Sequence, residues 1–157
     1  MLPFKKILCP TDFSEPSYEA LKVANELALH FSSELFVLHA VAPIPSANVS
    51  PPPAGKAPSK GFNISLYRQQ LEEISKRSLK KLVEQRIAKG QKVHRIVVQG
   101  EASDQIIDAV EKQKIDLIVI ATHGRTGWRR FIFGSVAEKV IRLAPCPVLT
   151  IQPPHDE

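Results

Sequence analysis

A chain of 157 residues, 43% hydrophobic and 24% charged, is long enough to bury a core of its own as a single domain, 1–157, without disulfide or metal staples. Two cysteines exclude a disulfide framework, and no apolar run reaches the length of a membrane span or a secretory leader, so the expectation is a cytoplasmic protein with reduced thiols and no membrane partner. The net charge of +5 favours anionic partners at long range, but the aromatics are few and no nucleic-acid signature accompanies the charge, so nucleic acid is not the expected partner.

Lys6 to Cys9 reads as a first strand. Ala20, Leu21, Ala24, Leu27, Ala28 and Phe31 recur at helical spacing, which predicts a helix over Pro16 to Phe31 with Ser14 as its cap and Pro16 in its first turn. Leu35 to Val41 reads as a second strand. Residues 42–63 carry six prolines among Ser, Ala and Gly, a composition that builds neither a helix nor a central strand, and predict a surface loop inside the domain. From Ser65 the helical period returns through Leu71, Ile74, Leu79, Leu82 and Val83, with Gly90 as the expected C′ residue. Lys76, Arg77, Lys80, Lys81, Arg86, Lys89 and Lys92 lie in and after this helix and read as a solvated face.

Val93 to Gln99 predicts a third strand turned by Gly100, Ala102 to Lys114 a helix, Leu117 to Thr122 a fourth strand, Ser135 to Leu143 a helix and Val148 to Gln152 a fifth strand. Five strands alternating with four helices imply a doubly wound α/β sandwich: a parallel sheet covered on both faces, with ligands held beyond the strand C-termini at the topological switch point. Prolines bracket the last strand in PCPVLTIQPP, which suits an edge, and an apolar edge strand invites a second copy.

Two strand ends carry chemistry. After the first comes Pro10-Thr11-Asp12-Phe13-Ser14, where a carboxylate could accept from ribose hydroxyls or help hold a cation, or where Asp12 or Ser14 could simply cap the helix. After the fourth comes a polar glycine loop, His123 to Arg130, with Gly124, Arg125, Arg129 and Arg130, followed by Gly134 and Ser135 at a helix start. Strand, glycine loop and helix N-terminus together present backbone N–H groups and a dipole to a phosphate. Ser135 and Glu138 also read as an S-x-x-E capping box, and the two readings are compatible. His30, His39, His94, His123 and His155 show no zinc-ligand spacing, so no metal site is expected from them, and neither G-x-S-x-G nor G-x4-G-K-[ST] occurs. Trp128 and Phe131 suit packing of the loop.

ATHGRTGWRRFIFGSVAEKVIRLAPCPVLTIQ, with KILCPTDFS near the N-terminus and LFVLHAVAP after the first helix, resembles the universal stress protein family over nearly the whole chain apart from the proline-rich loop. The resemblance implies a Rossmann-like five-stranded sheet in the order 3-2-1-4-5 and a homodimer joined along Val148–Gln152. Nucleotide-binding members carry G-x2-G-x9-G-[ST] after the fourth strand. The matching positions are Ala121, Gly124, Gly134 and Ser135, with alanine where the motif has its first glycine. By the resemblance, ATP or AMP is the ligand, with magnesium as its candidate companion. Pro10, Thr11 and Asp12 would meet the ribose, Ala40 the adenine, and Gly124, Gly134, Ser135 and the Val136 N–H the phosphates, with His123 and Arg125 in the same loop. The extra methyl of Ala121 is mild if φ there is negative and strained if it is positive. The role expected is that of a regulatory ligand in a stress response, shifting a population of states, and not of an enzyme's substrate; no catalytic residue stands out. The alternatives are a nucleotide-free dimeric interaction protein and a slow ATPase.

Overall fold

The computed structural model describes residues 2–44, 63–123 and 133–152. Gly124, Arg125, Trp128, Arg129, Arg130, Phe131, His155 and most of the proline-rich stretch therefore lie outside the described residues.

The elements run in strict alternation: β1 (Lys6–Pro10), α1 (Glu15–Phe31), β2 (Glu34–Val41), α2 (Ile64–Arg86), β3 (Val93–Gln99), α3 (Ala102–Gln113), β4 (Leu117–Ala121), α4 (Ser135–Leu143) and β5 (Val148–Ile151). All pairings are parallel and the sheet order is β3-β2-β1-β4-β5, the doubly wound arrangement expected from the sequence.

Because strand side chains alternate between faces, each strand feeds two cores. Ile7, Cys9, Leu35, Val37, Leu117 and Val119 pack beneath α1 and α2 with Ala20, Leu21, Ala24, Leu79 and Leu82. Leu8, Phe36, Leu38, Ile118 and Ile120 pack beneath α3 and α4 with Ile106, Ala109, Val110, Ala137 and Val140. The central strands are thus apolar on both sides, which is why they read as short continuous hydrophobic runs. Asp116 fixes the start of β1 beside β4, its Oδ2 accepting from the Lys5 and Lys6 N–H groups at 2.8 and 2.9 Å.

Local signals account for most element ends. Ser14 caps α1, its side chain accepting from the Ser17 N–H, and Pro16 occupies the first turn where its missing N–H costs nothing. Lys114 closes α3 in the left-handed conformation, one residue short of the sequence boundary. β4 likewise ends at Ala121 and not Thr122, and β5 at Ile151 and not Gln152. Gly90 corrects an expectation: α2 stops at Arg86, and extended Ile87 is drawn into the core, so Gly90 at φ +96° serves the turn into β3 and is not the C′ residue. On α2, Lys76 pairs with Glu72 and Glu73 and Lys80 with Glu84, with all of these side chains but the partly covered Glu72 exposed, as on a solvated helix face.

No helix among the described residues is long and apolar enough to cross a membrane. Both cysteines are free thiols. Cys9 is fully buried, and burial pushes its thiol up to about 12; Cys146 is half-buried, its thiol raised by burial and then by the Asp116 charge. The reactive species is the thiolate. Alkylation of the native protein at pH 8 is therefore expected to label Cys146 alone, with Cys9 labelled only after denaturation, as peptide mass mapping will read. Native labelling of Cys9 would show that β1 opens to solvent.

Candidate functional site

The chain leaves β1 to form α1 on one face of the sheet and leaves β4 to reach α4 on the other. The adjacent strands β1 and β4 pair only at Ile7–Leu117 and Leu8–Ile118, and beyond that register a crevice opens between their C-terminal ends. It is a cavity of about 510 Å³, within the range that takes a small-molecule ligand. Leu38, Ala40, Ile106 and Ile120 form an apolar wall. Pro10, Thr11 and Asp12 form one lip, and Ala121, Thr122, His123, Gly134, Ser135 and Val136 the other.

Hydrogen bonding builds the first lip. Thr11 donates its N–H to the Leu38 carbonyl at 2.8 Å, tying the β1 exit to β2. The Phe13 N–H donates to Thr11 Oγ1 at 3.1 Å, and Ser17 Oγ donates to the Ser14 carbonyl at 2.8 Å. With Thr11 and Ser17 hydroxyls 2.9 Å apart, Thr11 must donate to Ser17, completing a relay with one direction. Asp12 Oδ1 accepts from the Ser14 N–H at 3.0 Å and from the Ser14 hydroxyl. Of the two roles left open by the residues, the cap belongs to Ser14, while Asp12 braces Ser14 and lines the cavity.

The second lip is set by Thr122. Its N–H donates to the Ile151 carbonyl at 2.9 Å, its carbonyl accepts from the Gly134 N–H at 2.6 Å, and its hydroxyl lies 2.9 Å from His123 Nδ1. Gly134 sits at φ −71° and ψ 160° as the N-cap of α4, so its value is not conformational freedom. A Cβ there would stand 3.3 Å from the Thr122 oxygen, tighter than ordinary contact; glycine allows the helix to begin this close to β4. The capping box is corrected here. The bond to Thr122 holds Gly134 extended, α4 begins at Ser135, and among the described residues no side-chain cap bond is made to it. Ser135, Val136 and Ala137 occupy its first turn, where N–H groups have no intrahelical acceptor, and all three line the cavity. The positive end of the α4 dipole falls at the same place.

Ala121 ends β4 opposite Ile151 and is not among the residues with positive φ, so its methyl sits on ordinary strand backbone. Among the described residues no group of three His, Cys, Asp or Glu side chains converges as a metal site. Among the described residues Asp12 alone supplies a lining carboxylate, which fits magnesium only in the manner of an ion carried largely by phosphates and water.

Of the expected contact residues, Pro10, Thr11, Asp12, Ala40, Ala121, His123, Gly134, Ser135 and Val136 share this one cavity; Gly124 and Arg125 lie outside the described residues. Leu38, Ala102, Ile106 and Thr122 were not foreseen. The α3 residues reach the site because the crossover from β3 lays α3 across the second face, and Lys139 of α4 then pairs with Asp104 of α3 at 2.7 Å.

The sequence profile of the Universal stress protein family matches residues 3–152. Universal stress protein MJ0531 of Methanocaldococcus jannaschii is 36% identical over 154 residues, covering 98% of this chain and 85% of its own. Universal stress protein MJ0577 of the same organism is 30% identical over 157 residues, 95% of each chain. The solved structure of MJ0577 superposes with a TM-score of 0.77 at 26% identity, over 98% of this chain and 99% of its own. A universal stress protein from Archaeoglobus fulgidus, solved in complex with dAMP, shares the fold with a TM-score of 0.58 at 22% identity, over 96% and 99% of the two chains. With the family's profile spanning both lips of the cavity and every strand of the sheet, the chain belongs to the universal stress protein family.

Proposed function

We infer that this protein binds an adenine nucleotide, ATP or AMP, in the crevice between β1 and β4 and uses it as a regulatory ligand. The observation that carries this reading is the pairing of an apolar slot at Ala40, Leu38 and Ile106 with the first turn of α4, whose N–H groups have no intrahelical acceptor, across one cavity. The slot suits a purine face, and the helix N-terminus suits phosphate. Asp12, on the lip between them, is placed for ribose hydroxyls, with magnesium held by the phosphates if it accompanies ATP. The same fold accepts dAMP in the Archaeoglobus protein, which supports the adenine nucleotide class.

Binding is favoured over catalysis because the one carboxylate lining the cavity among the described residues already accepts two hydrogen bonds from Ser14. A nucleotide bridging both lips stabilises whichever state holds them at this separation, the requirement for a population shift. The β5 edge, with Leu149 and, on α4, Ile141 and Leu143 exposed, is the surface for a homodimer in the cytoplasm.

Ligand released from freshly purified protein is expected to be an adenine nucleotide by mass spectrometry. ATP with magnesium at one hundred times its dissociation constant should stabilise the fold by about 2.7 kcal/mol, raising the melting temperature by roughly 5–10 °C. No co-purifying nucleotide, together with a flat calorimetric titration at millimolar ATP and AMP, would leave the nucleotide-free interaction protein as the reading.

A further inference from the structure

We propose that His39 is a positioning residue for Asp12, orienting that carboxylate toward the ribose hydroxyls; the proposal rests on the nucleotide reading above. His39 lies near the end of β2, on the sheet face opposite the apolar slot, because Ala40 and Leu38 occupy the alternate positions. Its Nδ1 is 2.8 Å from the Thr11 carbonyl oxygen. A carbonyl only accepts, so Nδ1 carries the proton and donates. The Thr11 carbonyl and the Asp12 N–H belong to one rigid peptide plane, so the bond to His39 sets the direction in which Asp12 leaves the strand.

Phe13 completes the clamp. Its ring packs on the imidazole at a centroid distance of 4.4 Å and a tilt of 38°. Phe13 also sits at φ +63°, the left-handed region that a residue with a bulky side chain rarely enters, and such a conformation persists only where neighbours determine it. Asp12 is therefore held from both sides. Before it, the Thr11 carbonyl is fixed by His39; after it, Phe13 is fixed by the same ring and by Thr11 Oγ1. The Ser14 hydrogen bonds act on the carboxylate itself and do not set the peptide from which it hangs.

The test compares magnesium-ATP with magnesium-2′,3′-dideoxy-ATP, which keeps base and phosphates and lacks both hydroxyls, on the full-length chain by calorimetry. His39→Leu is expected to weaken ATP about tenfold, the loss of one well-made hydrogen bond, while leaving the dideoxy analogue within about threefold of its wild-type affinity. His39→Asn, whose amide can donate from nearly the position of Nδ1, should restore ATP binding to within about threefold and serves as the reading variant if His39→Leu does not fold. Equal weakening of both nucleotides by His39→Leu, or an Asn variant that loses ATP selectively, would overturn the positioning role while leaving nucleotide binding intact. Failure of the wild-type protein to bind either nucleotide would instead overturn the reading on which it rests.

Discussion

Replacing Ala40 by phenylalanine is expected to raise the dissociation constant for ATP about a hundredfold or more, a loss of roughly 2.7 kcal/mol, while the melting temperature without ligand stays within about 3 °C of wild type. Ala40 pairs with Val98 on β3 and presents its methyl to the cavity beside Leu38 and Ile106. A benzyl group there has open volume to enter, so the usual penalty of overpacking a closed core does not arise. What it removes is the slot into which a purine would slide, and a ligand displaced even slightly loses its geometry at the far lip, where the α4 N–H groups wait. The two measurements separate the causes. Lost affinity with an unchanged melt is occlusion; lost affinity with a falling melt is damage to the sheet. Wild-type affinity in Ala40→Phe would mean that the base does not lie against the end of β2, and the phosphate end would have to be sought apart from the α4 N-terminus as well.

The slot shows where sequence reading stops. Alternation of short apolar runs with helical periods made the elements and the doubly wound class legible, because a strand buried on both faces must be apolar throughout, as Leu117–Ala121 is, whereas the strand order came from the family resemblance. The edge position of β5 was legible from its prolines: Pro147 lends only its carbonyl to the ladder, accepting from the Ile118 N–H at 3.0 Å. Asp12 was legible because chain direction brings parallel strand ends together, Gly134 from the glycine loop that precedes a helix start, and Ala121 through the family motif. Ile106 and Ala102 were not, since their place in the wall depends on how α3 crosses the sheet, a tertiary fact with no local signal. His39 was read only as a histidine without zinc spacing; its partner is a backbone carbonyl 28 residues away, and a backbone oxygen leaves no mark in a sequence. The S-x-x-E box misled for a related reason. The Thr122 carbonyl captures the Gly134 N–H and makes Gly134 the N-cap, so Ser135 opens the helix where its start was read but does not cap it.

Ile106 and Ile118 lie in the same core beneath α3 and α4, and both are at least 99% buried, yet truncating them to alanine is expected to give different results. Ile118 is in β4, flanked by β1 and β5, and has no face on the cavity. Ile118→Ala leaves a closed void that its hydrogen-bonded strand cannot collapse into, which places the cost near the upper part of the usual range, about 4 kcal/mol, or roughly 8–16 °C in melting temperature. Ile106 is on α3 and forms part of the cavity wall, so Ile106→Ala opens its space to a cavity that already exists. No isolated void is created, and the cost should fall to about 2 kcal/mol, or roughly 4–8 °C. Binding is expected to invert the order. Ile106→Ala removes apolar surface from the slot proposed for the purine and should weaken ATP about tenfold, whereas Ile118→Ala, where folded, should bind within about threefold of wild type. Thermal melts paired with calorimetry below the lower melting temperature read both quantities. If the two variants lose stability equally, the cavity wall is no softer than the core behind it. If Ile118→Ala loses ATP as Ile106→Ala does, the ligand senses the packing of β4 through the sheet, and the core and the nucleotide slot act as one unit.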